Sequence, residues 1–69
     1  MNANLLKSEL LKNDMTMQDL ADELDLSYWS LTSKVRGDYE FKQGEIQKIA
    51  KILKLNSTEI NEIFFSENI

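Results

Sequence analysis

Residues 27–37 read SYWSLTSKVRG, and the chemistry in that stretch is recognition rather than reaction. Ser27, Tyr28, Thr32 and Ser33 carry hydroxyls that both donate and accept hydrogen bonds, and Trp29 carries a broad apolar ring with one donor. Lys34 and Arg36 supply cations suited to phosphates or carboxylates. Bond-making chemistry has little to work with, because the chain has no His and no Cys. The commonest general base and the thiolate nucleophile are therefore missing, and an enzyme is not expected. Asp19, Asp22, Glu23 and Asp25 gather in one region, but a helix surface lacks the loop framework a divalent cation needs. No metal and no cofactor are expected.

Helical spacing positions these readers. Ser27 can cap a helix over 28–36, and Gly37 can take the left-handed conformation that ends it. Leu31 and Val35 stand four apart and define the buried face, so Trp29 turns outward. Tyr28 keeps two placements: outward, or partly packed on helix 1 or 2 with its hydroxyl in water. Asp25-Leu26-Ser27 makes a tight connection plugged by Leu26. Before it, Thr16 and Asp19 form a capping box for a helix whose Leu20, Ala21 and Leu24 face inward.

The remaining elements complete an all-α pattern. Helix 1 is expected over about 3–13, with Leu6 and Leu10 inward and Leu5 and Leu11 flanking. Phe41 can staple against Ile46 ahead of helix 4, although Lys42 at the cap position has no acceptor to offer. Ile46, Ile49, Ala50 and Leu53 form its inner face, with Lys48, Lys51 and Lys54 on the wet sides. Asn56 and Glu59 cap a last helix in which Ile60, Ile63 and Phe64 point inward and Phe65 stays partly exposed. With no proline and two glycines, the chain has too few turn residues for a sheet of this size. Sixty-nine residues make one domain. No apolar run reaches the length of a membrane span, and no signal-peptide pattern is visible, so a cytoplasmic protein is expected.

Net charge is -4, unevenly spread. Residues 1–33 and 55–69 are acidic. Residues 34–54 are basic, with Lys34, Arg36, Lys42, Lys48, Lys51 and Lys54 against Asp38, Glu40 and Glu45. The total opposes a polyanion partner, while the basic block favours one.

Two short capped helices joined by three residues describe a helix-turn-helix over about 16–37. The stretch TMQDLADELDLSYWSLTSKVRG resembles the Cro/C1 phage-repressor-like (XRE-type) family, and EIQKIAKILKLNSTEINEIFF looks like its fourth and fifth helices. Leu20, Ala21, Leu24, Leu26, Ser27, Leu31 and Gly37 stand where the family pattern wants them. The resemblance implies a compact five-helix bundle, resembling the lambda-repressor DNA-binding domain, whose third helix enters the major groove of operator DNA. It places Ser27, Tyr28 and Trp29 at base edges, with Thr32 and Ser33 one turn on. Lys34, Arg36 and Lys42 would lie near phosphates. The family commonly has Gln where this chain has Met17, with Gln18 displaced by one residue, and Gly where it has Asp25. A homodimer is expected, with Ile63, Phe65 and Ile69 as its candidate surface. The rival expectation is a modulator of repression that binds a partner phage repressor's DNA-binding domain, favoured by the acidic total and by a tip without Arg, Asn or Gln. No membrane role is expected.

Overall fold

The computed structural model describes residues 1–65. It forms α1 (Ala3–Lys12), α2 (Met17–Glu23), α3 (Tyr28–Arg36), α4 (Gln43–Leu53) and α5 (Ser57–Ile60), followed by a π-helical turn, Asn61–Phe65. There is no strand among the described residues.

Side-chain caps set the starts. The Asn2 side chain accepts from the Leu5 N–H at 3.1 Å. Thr16 and Asp19 cap α2 reciprocally, as do Asn56 and Glu59 for α5. Ser27 accepts from the Ser30 N–H at 3.0 Å. The weak start expected at Lys42 is half repaired, because Glu45 accepts the Lys42 backbone N–H at 2.8 Å. Helix α1 stops at Lys12 rather than Asn13.

The first four helices end in one way. A left-handed residue follows each helix: Asp14, Asp25, Gly37 and Lys54. The N–H one residue further on then reaches back to a carbonyl in the last turn. These bonds run from Met15 to Leu10 at 2.9 Å, Leu26 to Ala21 at 2.9 Å, Asp38 to Ser33 at 3.0 Å and Leu55 to Ala50 at 2.8 Å. This satisfies orphan carbonyls and lays the returning chain over the last turn. Met15, Leu26 and Leu55 accordingly pack on the core. Asp25 stands at φ 57°, a left-handed conformation that Asp tolerates better than most residues.

Lys54 is the costliest of the four, since a long side chain at φ 57° gains none of the local hydrogen bonding that helps Asp. Lys54→Gly is expected to stabilise the fold by about 0.5–1 kcal/mol after the extra freedom of glycine in the unfolded chain is subtracted. Thermal unfolding checks this: the midpoint rises by a few degrees, and Asp25→Gly gains less.

Buried residues from every helix except α5 meet in one core: Leu6, Leu10, Leu20, Ala21, Leu24, Leu31, Val35, Ile49 and Leu53, joined by Ile63 from the π-helical turn. Ile46, Ala50 and Ile60, expected inside, are only half-buried, and Leu11 is 80% exposed. Phe41 meets Phe64 edge-on, with ring centroids 5.4 Å apart. The Asn2 N–H donates to the Ile63 carbonyl at 2.6 Å, clasping the start of α1 to the end of the described chain. Among the described residues, no helix is long and apolar enough to cross a membrane.

Candidate nucleic-acid interface

Helix α3 buries Leu31 and Val35 and turns its first residues to solvent. Ser27 is exposed, Tyr28 is 52% exposed and Trp29 is 62% exposed. Both placements of Tyr28 meet in one geometry: half its surface is open, while the ring lines a groove with Leu11, Met15 and Met17. The Ser27 hydroxyl donates to the Ser30 hydroxyl at 2.9 Å, and the Thr32 hydroxyl donates to the Tyr28 carbonyl at 2.9 Å. Each oxygen keeps acceptor capacity, so an incoming donor is the partner they suit best.

Several expected readers lie elsewhere. Ser33 is fully buried, which removes it from the readable surface. It occupies the last-turn position that the returning chain covers, and Arg36 Nη2 lies 3.4 Å from its hydroxyl. Lys34 is not a free phosphate ligand either. Its ammonium meets both Glu45 oxygens, at 2.6 and 2.8 Å, and both side chains are largely buried. Burial pushes the Glu45 carboxyl up, but the Lys34 hydrogen bond, the Lys42 backbone N–H and the charges of both lysines more than offset it, leaving the carboxyl below its ordinary range. This ion pair ties α3 to α4.

Arg36 is exposed and pairs with Asp38 at 3.0 Å, a contact that a phosphate can replace at little cost. Lys42 is exposed. Gln18 is exposed, with its amide donating to Asp22 at 2.9 Å. Met17 is half-buried, so the position where the family commonly carries Gln here supplies groove lining. Of the candidate dimer residues, Ile63 is buried, Phe65 is 63% exposed, and Ile69 lies outside the described residues. Among the described residues, no group of three or more His, Cys, Asp or Glu side chains could hold a metal ion.

Two side chains escaped the sequence reading. Tyr39, in the α3–α4 loop, is 58% exposed and lies beside Trp29. Lys7, on α1, lines the same groove as Tyr28, Thr32 and Arg36. An aromatic residue two places after a helix-stopping glycine was the available clue to Tyr39. Nothing local pointed to Lys7, whose role depends on how α1 packs. The helix tip thus has cations on both flanks: Lys7 and Arg36 beside Tyr28, and Lys42 beside Trp29.

Two capped helices closed by a left-handed Asp25, with α2 packed on α3 and the α3 tip open to solvent, define a helix-turn-helix protein. The helix-turn-helix family matches residues 6–60, most of the chain. The protein belongs to this Cro/C1-type (XRE-type) family, one of DNA-binding transcription regulators and not of enzymes. No curated protein and no solved structure matches the chain.

Proposed function

We propose that the protein is a small phage-type regulator that binds operator DNA by placing α3 in the major groove, in a Cro-like role within a lytic/lysogenic switch. The observation that carries this reading is the open tip of α3 with cations on either flank, an arrangement that suits a groove bordered by two phosphate strands. Ser27, Tyr28, Trp29 and Thr32 face the bases, while Lys7, Arg36 and Lys42 meet phosphates. A single module of this size grips few base pairs, so a dimer on paired half-sites is the working state, with exposed Phe65 as its first contact.

A second reading, a modulator that docks on a partner repressor's DNA-binding domain, has its own support. Gln18 is occupied by the chain's own Asp22, and the tip is aromatic rather than amide-bearing or cationic. Exposed aromatics of this kind are enriched among hot spots of protein interfaces.

Titration with labelled switch-region duplex at low and moderate salt, with and without the neighbouring repressor, separates the two. On the first reading the protein binds duplex alone, and three phosphate-facing cations give a slope of log K against log salt of about -2.7 per protomer. Lys42→Met reduces that slope by about 0.9, whereas Lys34→Met leaves it unchanged because Lys34 is spent on Glu45. Absence of duplex binding at low salt, together with a stable repressor complex, moves the assignment to the second reading.

A further inference from the structure

The indole of Trp29 does not stand alone. Its centroid lies 6.2 Å from that of Tyr39, with the ring planes inclined by 60°, within the range of favourable tilted aromatic pairs. The loop that carries Tyr39 is anchored on both sides. On one side, Asp38 closes α3 through the bond from its N–H to the Ser33 carbonyl at 3.0 Å. On the other side, Phe41 rests edge-on against Phe64. A loop anchored at both ends keeps the Tyr39 backbone in place beside Trp29. Lys42 lines the same cleft as the aromatic pair, with the Glu40 carboxylate also in its lining.

We infer that Tyr39 is a positioning residue for sequence readout: it aims Trp29 at the 5-methyl group of a thymine in the major groove and makes the protein thymine-selective at that base pair. The inference rests on the operator-binding reading and adds the base that is read and the residue that directs the reader. Thymine alone presents a methyl group in the major groove. An indole edge cannot make the paired hydrogen bonds that identify guanine or adenine, but it can cover a methyl group. An unsupported indole must also be ordered when it binds, and a ring packed beside it reduces that penalty.

The test uses a duplex selected from a random pool by the wild-type protein, with each thymine then replaced singly by uracil, which removes only the methyl group. Wild type is expected to lose binding about fourfold at one position per half-site, the worth of one buried methyl-sized group. Trp29→Ala and Tyr39→Ala should bind thymine and uracil duplexes alike, and Tyr39→Phe, which keeps the ring, should restore the difference. Tyr39→Ala should also shift the emission of the single tryptophan while helicity is unchanged, a readout independent of DNA. Tight wild-type binding with every uracil tolerated overturns the inference and leaves the operator reading standing. Full discrimination by Tyr39→Ala does the same. Failure to select any duplex overturns the operator reading and the inference with it.

Discussion

Leu31→Ala is expected to leave the fold only marginally stable at about 37 °C, seen as a weakened helical circular-dichroism signal and a thermal midpoint far below that of wild type. Leu31 is fully buried in the middle of α3, within the core shared with Leu20 and Ile49. Truncation removes its transfer free energy and leaves a cavity, together about 3 kcal/mol. A core of this size supplies only about 3–5 kcal/mol of net stability, so one such cavity consumes most of it. Leu11→Ala is the contrast. Its side chain is 80% exposed, and the same change there should cost under about 0.5 kcal/mol. Similar losses at the two sites would mean that this core is not what holds the helices together. Because α3 is also the proposed recognition helix, Leu31→Ala should weaken any binding without touching a partner, so binding studies belong with variants of exposed residues.

Glu45→Gln is expected to cost about 2 kcal/mol, because it strands the largely buried Lys34 ammonium without its counter-charge. The double change Lys34→Met with Glu45→Leu should recover most of that loss, since removing both charges also removes their desolvation penalty. The pair makes stability depend on acid. The Glu45 carboxyl is held below its ordinary 4.5 in the fold, so its contribution is fully present above that value. It is lost as the pH falls through the lower folded value. Denaturant midpoints measured from neutral pH down into the acid range should therefore fall more steeply for wild type than for Glu45→Gln. Parallel curves would show that the ion pair adds nothing, and the link between α3 and α4 would then rest on apolar contacts alone.

Local chemistry made the helix starts and the turn of the motif readable in the sequence. Thr16, Ser27 and Asn56 each satisfy a backbone donor three residues on, and such pairings announce themselves by residue type and spacing alone. Gly37 marked the end of α3 for the same reason. What escaped was set by the way back from each helix. Helical periodicity places Ser33 well away from Leu31 and on the wet side, yet the chain returning through Asp38 covers it. The equivalent positions at the ends of the other helices are Leu10, Ala21 and Ala50, residues that signal burial by type, whereas serine does not. Lys34 misled for a related reason. Its charge implied exposure, and only packing against α4 supplied Glu45. Tyr39 gives no such signal, because loop residues carry no period from which to read a direction.

The bond from the Asn2 amide to the Ile63 carbonyl has a kinetic consequence. A proton in that bond exchanges with solvent only when the two ends of the described chain part. The same Asn2 side chain caps α1, so opening the clasp also frays the first turn of that helix. Exchange at Asn2 and Leu5 should therefore proceed at one shared rate. If that rate matches the rate at the core amides of α3 and α4, the domain opens as a single unit. If it is faster, the two ends form a separate cooperative unit that breathes while α3 stays folded.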